Sequence, residues 1–265
     1  MTSETGTWHY GLMAEHWGEH LLDAPELPYF RKEIARFGQP VLDLACGAGR
    51  LLLPLLESKI EVDGCDISRD MLDQCRLRAA EKGLNPNLYE QPMYTFKLQR
   101  KYRTIYICDS FDLAGSRENG LATLQRCYEH LHDGGALLLN IQAEYASRAS
   151  WERWLPENRA LLPQPWPEEG SRRVAADGSE TIAYFRRLDL DPLDQTYTMQ
   201  VRLEKWVTGE RVATEEYTLR GNMYSKNELL FMMQLAGFRD ITVYGDYSDE
   251  PGTAEHSEIN FVAIK

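Results

Sequence analysis

The sequence predicts an α/β fold: a mostly parallel β-sheet with helices on both faces and a final antiparallel strand, plus a small antiparallel β insertion. Three observations support this fold class. The stretch V-L-D-L-A-C-G-A-G-R-L at 41–51 joins a buried strand to a helix through a glycine turn. Strand and helix patterns then alternate up to about residue 141, which is typical of parallel sheets. The last two predicted strands flank a Pro251-Gly252 turn and form a hairpin.

The composition limits the classes of function. With 265 residues the chain is long enough for one domain carrying a sizeable insertion, and 43% hydrophobic and 26% charged residues are ordinary for a globular protein. A net charge of −12 argues against a nucleic-acid partner. We expect neither a membrane span nor a signal peptide, since no long uncharged run or apolar leader is present. Five cysteines without a C-x-x-C pair predict free buried thiols and a cytoplasmic location.

Shifts in pattern divide the chain into four predicted regions. These are an N-terminal helical cap (1–40), an α/β core (41–150), a loop and antiparallel β insertion (151–220), and a C-terminal helix and hairpin that complete the core sheet (221–265).

The glycine turn is the first predicted binding element. Gly47 and Gly49 can adopt positive φ and leave room for a ligand near the backbone, beside the free N–H groups of a helix N-terminus. Asp43 adds a carboxylate at the strand end, where it could face a cationic group. A dinucleotide-binding turn would need a third glycine three residues after Gly49, and Leu52 stands there instead.

A second strand ends at Asp66, about twenty residues after the glycines. A carboxylate at that position can accept hydrogen bonds from both ribose hydroxyls of a nucleoside. Ser68 is then a suitable N-cap for a helix that begins with R-D-M-L.

The stretches V-L-D-L-A-C-G-A-G and G-C-D-I-S-R-D-M-L resemble motif I and the second motif of the class I S-adenosylmethionine-dependent methyltransferases, in particular the small-molecule N- and O-methyltransferases with a β insertion after strand five. The resemblance covers nearly the whole chain and implies a Rossmann-like methyltransferase sheet with S-adenosylmethionine as cofactor. It implies cofactor contacts from Asp43, Ala45, Cys46, Gly47, Gly49, Asp66, Ile67, Met71, Gln91, Met93, Cys108 and Asp109.

One position departs from the family. An acid that binds the adenine amino group is common where this chain has Pro92. Proline cannot make that contact, so we expect backbone atoms or Gln91 to hold the adenine.

The resemblance implies methyl transfer to a nitrogen or oxygen of a small-molecule acceptor by in-line displacement in a closed pocket. We predict Tyr10, Glu144 and Tyr145 as residues that position the acceptor rather than act as bases, and Trp17, Phe111 and Tyr184 as substrate-binding residues, with Tyr184 also able to orient the acceptor. The β insertion either covers the acceptor or forms a homodimer contact, and the pattern leaves both open.

The sequence also has features of three alternative functions. A non-catalytic S-adenosylmethionine-binding scaffold would share the glycine turn, while a nicotinamide-dependent oxidoreductase is disfavoured by the glycine spacing and the terminal hairpin. The stretch H-W-G-E-H at 16–20 matches an inverted zinc-protease pattern. Gly18 weakens that helix and no third ligand follows, so no metal is expected.

Overall fold

The computed structural model describes residues 7–20, 23–175 and 177–265. The helices in this part are α1 Gly11–His20, α2 Leu27–Phe37, α3 Leu52–Glu57, α4 Arg69–Glu81, α5 Arg117–His130, α6 Arg148–Glu152, α7 Pro156–Arg159 and α8 Lys226–Ala236. The strands are β1 Val41–Leu44, β2 Val62–Asp66, β3 Leu88–Glu90, β4 Tyr102–Ile107, β5 Leu131–Gln142, β6 Ser171–Val174, β7 Glu180–Asp191, β8 Thr196–Val207, β9 Glu210–Asn222, β10 Asp240–Gly245 and β11 Glu258–Ile264.

The main sheet has seven strands in the order β10-β11-β5-β4-β1-β2-β3. Strand β11 is antiparallel to both of its neighbours, β10 and β5, and the pairs among β1 to β5 are parallel. The predicted fold class is therefore confirmed, including the final antiparallel strand. The order changes direction between β1 and β4, so ligands are expected at the carboxyl ends of these strands.

Local sequence explains the elements that border this edge. All residues of β1 and β2 are buried, as expected for central strands covered on both faces. Helix α4 begins at the predicted cap, where the Ser68 hydroxyl accepts a hydrogen bond from Met71 N at 3.2 Å. Helix α8 begins with a capping box of Ser225 and Glu228 and ends at Gly237, which has a φ of 118°.

A second, separate sheet is antiparallel, with the order β6-β7-β8-β9. The sequence predicted the meander formed by β7, β8 and β9, but not β6. All residues of β6 are exposed, so this strand lacks the apolar alternation that reveals a half-buried strand. The segment before β6 contains α6 and α7 and is tied to β7, because Gln164 N donates to Arg187 O at 2.9 Å.

The N-terminal segment joins the two sheets. Trp8, Leu12 and Met13 are buried in one cluster with the inner face of the second sheet, including Val201 and Leu203. On the other side, Gly11 N donates to the Asp70 carboxylate at 2.8 Å at the start of α4, and Leu12 N donates to the Glu215 carboxylate at 2.8 Å on β9.

Two expectations about the whole chain can be compared with the structure. All five cysteines are buried and free. Among the described residues, no helix is both long enough and apolar enough to cross a membrane.

Candidate active site

A cavity of about 430 Å³ lies at the carboxyl ends of β1, β2 and β4. This volume is within the usual range of ligand pockets, roughly 300–1,000 Å³. Eleven of the twelve residues predicted to contact the cofactor line it: Asp43, Ala45, Cys46, Gly47, Asp66, Ile67, Met71, Gln91, Met93, Cys108 and Asp109. The structure thus brings these side chains to one edge of the main sheet.

The turn after β1 places the chain backbone directly against this cavity. Ala45 and Gly47 have positive φ angles of 65° and 52°. Ala45 N and Cys46 N both donate to Cys65 O, at 2.7 and 3.1 Å, so the turn is tied to β2. A Cβ atom on Gly47 would lie 3.0 Å from the Met71 methyl group. A side chain at this position would therefore crowd the Met71 methyl group, on a backbone whose positive φ disfavours residues other than glycine.

Gly49, the twelfth predicted residue, does not line the cavity. A Cβ atom there would lie 2.7 Å from Cys75 Sγ and 2.9 Å from Leu53 Cγ. Its role is close packing of the turn against α3 and α4.

Asp66 is the acid at the end of β2, and it is only 9% exposed. Its carboxylate accepts hydrogen bonds from Gly47 N at 2.8 Å and Ser68 N at 2.7 Å. Burial raises the pKa of Asp66, and these backbone donors oppose the rise. Because each carboxylate oxygen has a further lone pair, both oxygens can still accept a hydroxyl donor from a ligand.

Asp43 lies deeper in the cavity wall and is 4% exposed. Burial raises the pKa of Asp43 to about 7, an effect opposed by the positive charge of Arg50. The carboxyl is therefore close to half ionised at neutral pH, and a ligand cation beside it would favour the charged form.

Arg50 anchors the end of β4 at the cavity. Its guanidinium pairs with Glu26 and donates to the Asp109 carboxylate at 3.2 Å and to Asp23 O at 3.1 Å. Glu26, Cys108 and Asp109 have donor atoms within 4.8 Å of one another, a spacing that could suit a metal ion. Arg50 already supplies positive charge to this group, so the structure gives no reason to place a metal there.

Asp109 combines a strained backbone with a fixed side chain. Its φ is +54°, and Asn140 Nδ2 donates to its carboxylate at 2.6 Å. Positive φ at a residue other than glycine often marks a functional position. Ala45 and Asp109 share this property and both line the cavity.

The N-terminal segment forms a second wall with Thr7, His9 and Trp17. His9 Nδ1 lies 2.6 Å from the Thr7 hydroxyl, and the His9 ring centroid lies 5.6 Å from that of Trp17. Burial of the imidazole removes it from water and lowers the pKa of His9 to about 4, so the ring is neutral at physiological pH. The Ser68 hydroxyl donates to His9 O and fixes this segment to the start of α4.

Sequence reasoning missed His9 in favour of its neighbour Tyr10. The segment is rich in aromatic residues, and its sequence pattern does not show which of two adjacent rings faces the ligand. Tyr10 instead directly precedes α1, where its carbonyl accepts a hydrogen bond from Met13 N at 3.0 Å, and it does not line the cavity.

The remaining wall comes from elsewhere in the chain. Leu113 follows β4 in sequence and Arg173 belongs to β6 of the second sheet. Pro92 lines the cavity at the predicted adenine side. Gln91 is beside it, but its side-chain oxygen accepts from Lys97 N at 2.7 Å.

The structure does not bring four of the predicted acceptor residues to this cavity. Phe111 is 1% exposed and packs against the Tyr224 ring at 4.9 Å. Tyr184 pairs with Arg202 across β7 and β8, on the face of the second sheet opposite that of Phe185. Tyr10 directly precedes α1, as described above, and the Glu144 carboxylate accepts from the Trp154 indole at 3.1 Å. The Tyr145 side chain is outside the described part, while Trp17 does line the cavity.

Of the candidate zinc pattern, His16 is buried and Glu19 is exposed, and neither lines the cavity. The His20 side chain lies outside the described residues.

Comparisons with known proteins agree with this architecture. Residues 41–135 match the family described as methyltransferase domain. A putative methyltransferase of Geobacillus sp. (strain WCH70) is 22% identical over 94% of this chain and 97% of its own length. An S-adenosylmethionine-dependent methyltransferase structure from Clostridium acetobutylicum has a TM-score of 0.72 at 16% identity, covering 96% of this chain and 97% of that one. The sugar N-methyltransferase KedS8 from Streptoalloteichus has a TM-score of 0.68 at 17% identity, covering 98% and 96%.

The match of residues 41–135 and the relatives named methyltransferase support an S-adenosylmethionine-dependent methyltransferase. The seven-stranded sheet has the fold of a class I methyltransferase, which disfavours the nicotinamide and zinc alternatives. The cofactor of this family is S-adenosylmethionine, and the described residues fit it. Asp66 retains lone pairs for ribose hydroxyls, and Gly47 leaves the turn open. Trp17 Nε1 is buried without a hydrogen-bond partner among the described residues, as expected for a donor that awaits a ligand.

Proposed function

We propose that this methyltransferase transfers a methyl group to a nitrogen or oxygen of a small-molecule acceptor in the cavity at the strand ends. The observation that carries the proposal is that one cavity combines the glycine turn and acids of the core with a wall from outside the core, which includes His9, Trp17 and Arg173. A cavity of this volume suits small molecules rather than the surface of a macromolecule. The likeness to the sugar N-methyltransferase KedS8 extends over 98% of this chain and favours nitrogen as the acceptor atom.

S-adenosylmethionine supplies a methyl group that its sulfonium already activates, so the protein needs to position the acceptor and exclude water rather than provide a strong nucleophile. On the core side, Asp66 would hold the ribose hydroxyls and Gly47 would leave the backbone open for the methionine part of a bound cofactor. The Asp43 carboxylate would bind its cationic amino group.

His9 orients the acceptor. When Nδ1 donates to the Thr7 hydroxyl, Nε2 carries a lone pair that can accept the hydrogen of an acceptor N–H or O–H. Because the pKa of His9 is lowered to about 4, that lone pair is available across the physiological pH range. Tyr10, Glu144 and Tyr145 remain predictions for this role, as does a homodimer formed through the second sheet.

The test is a screen of small amines, phenols and carboxylates with S-adenosylmethionine labelled in its methyl group. Calorimetry on the same preparation measures cofactor binding. Transfer of label to an amine or a hydroxyl supports the proposal. Tight cofactor binding with no transfer to any class would favour the non-catalytic alternative.

A further inference from the structure

The second sheet contacts the loop between β4 and α5 (108–116, the β4–α5 loop) next to a residue of the active-site cavity. The Tyr197 hydroxyl of β8 donates to the Asp112 carboxylate at 2.5 Å. At the end of β9, Asn222 Nδ2 donates to Asp112 O at 3.2 Å. Two strands of the second sheet thus hold Asp112, and the next residue, Leu113, lines the cavity.

The sequence of β9 explains how Tyr197 reaches this loop. Tyr197 pairs with Gly221 across β8 and β9, and a Cβ atom on Gly221 would lie 2.1 Å from Cζ of the Tyr197 ring. The missing side chain therefore provides the space that the ring occupies. Tyr197 and Leu113 both pack against the buried cluster that contains Trp8 and the inner face of the second sheet.

The Asp112 carboxyl depends on this contact. Burial raises the pKa of Asp112 to about 6, and the hydrogen bond from Tyr197 opposes the rise because it favours the ionised form. A carboxylate that is withdrawn from water and then loses its donor is destabilised, so the loop would shift to regain water or another donor.

A second contact holds the far end of the same loop. Arg117, the first residue of α5, donates from its guanidinium to Met223 O at 2.7 Å, directly after β9. Within the loop, Leu113 N donates to Ser110 O at 3.0 Å. The position of Leu113 in the cavity wall is therefore set by where the second sheet lies.

Tyr197 and Asp112 are not themselves part of the cavity wall among the described residues. Any effect of their contact on the reaction must therefore pass through a neighbour that is, and Leu113 is adjacent to Asp112. Leu113 is apolar, and it is not among the residues expected to contact the cofactor.

We propose that Tyr197 is a positioning residue for methyl transfer, which acts through Asp112 to fix Leu113 against the methyl acceptor. This inference rests on the proposed function for the presence of an acceptor in the cavity. It gives the second sheet a role in the active site of its own chain, in addition to any contact with a second copy.

The first experiment needs no acceptor. Hydrogen exchange of the backbone amides in 110–116 is measured in the wild type and in Tyr197→Phe. We expect exchange there to become at least about tenfold faster in the variant, because the loop loses one of its ties to the second sheet. Tyr128→Phe is the matched control, since this tyrosine of α5 packs against Phe238 and does not line the cavity. Equal exchange in Tyr197→Phe and the wild type would overturn the proposal.

The second experiment uses an acceptor found in the label-transfer screen. We expect kcat/KM for that acceptor to fall at least about tenfold in Tyr197→Phe and in Asp112→Ala, while the dissociation constant of S-adenosylmethionine changes less than about threefold. Asp112→Asn keeps an oxygen that can accept from the Tyr197 hydroxyl, so its kcat/KM should stay within about threefold of the wild type. A loss of cofactor affinity as large as the loss of kcat/KM would refute the assignment of Leu113 to the acceptor.

The double variant distinguishes positioning from general loss of structure. If Tyr197 acts only through Asp112, adding Tyr197→Phe to Asp112→Ala should lower kcat/KM no further. Additive losses would show two independent effects and would overturn the proposal. If no acceptor is methylated, the proposed function fails and this role fails with it, whereas the exchange result shows separately whether Tyr197 holds the loop.

Discussion

The α/β core and the wall opposite it contribute to the same cavity in different ways. In the core, the cavity residues lie within a few positions of strand ends, as in 43–48 after β1 and 66–71 after β2. The opposite wall draws His9, Trp17 and Arg173 from segments far apart in sequence. Local backbone geometry therefore forms one half of the site, and tertiary packing forms the other. Mutations should accordingly separate cofactor binding from methyl transfer.

The largest expected effect is in the core, at the glycine turn. We expect Gly47→Val to abolish measurable S-adenosylmethionine binding, because a branched side chain would occupy the ligand space and strain a residue whose φ is 52°. Calorimetry measures the affinity and circular dichroism the fold. Gly83→Val is the control, since Gly83 also has positive φ but nothing lies within 4 Å of its Cβ position. Wild-type affinity in Gly47→Val would move the cofactor site away from this turn.

The matching change on the opposite wall is His9→Phe, which keeps a ring against Trp17 but removes both nitrogens. We expect kcat/KM to fall about a hundredfold while the dissociation constant of S-adenosylmethionine changes less than about threefold. His132→Phe, which alters an exposed histidine that does not line the cavity, should leave both values unchanged. A loss of cofactor affinity as large as the loss of kcat/KM would show that the two halves are not separable.

Asp66→Ala tests the core again with a smaller effect. Loss of charge-assisted hydrogen bonds, each worth roughly 1.5–3 kcal/mol before water compensates, should weaken cofactor binding at least about tenfold. Asp73→Ala removes an acid that is 52% exposed on α4 and serves as control. Unchanged affinity in Asp66→Ala would mean that other residues hold the ribose.

The smallest expected effect is a pH dependence of cofactor affinity, which arises from Asp43 in the core. Since burial raises the pKa of Asp43 to about 7, the carboxyl is neutral below that pH and attracts a cation only above it. Cofactor affinity should therefore rise about tenfold from pH 6 to pH 8, the change in ionised fraction for one such group. Burial also raises the pKa of Glu258 to about 7. The Asp43→Asn variant therefore shows which of the two carboxyl groups causes the pH dependence of cofactor affinity. Affinity in that variant should be low and independent of pH, and a persistent slope would assign the effect to Glu258.

The sequence allowed the core to be predicted well because its signals are local. The turn at 45–49, the acid at Asp66 and the Ser68 N-cap each depend on a few adjacent residues. At Gly49 the local pattern did not distinguish binding from packing. Its positive φ allows the turn to pack closely against Cys75, and the residue does not line the cavity.

The opposite wall could not be predicted because its geometry depends on register and docking. In β7, Phe185 pairs with Val201 on the face toward Trp8, while Tyr184 faces the other way. Both faces carry apolar residues, so alternation alone does not tell which one is inward. Arg173 lies on a fully exposed edge strand, where no apolar pattern indicates that it reaches the cavity.

Ser68 gives this two-part site a kinetic property. Its hydroxyl caps α4 and also holds the N-terminal segment through His9 O, two residues after Asp66, the acid predicted to bind the ribose. Because that segment forms one wall of the cavity, we expect the spent cofactor to leave faster when this contact is open. Ser68→Ala should then raise the rate at which the demethylated cofactor dissociates, as measured by stopped-flow fluorescence.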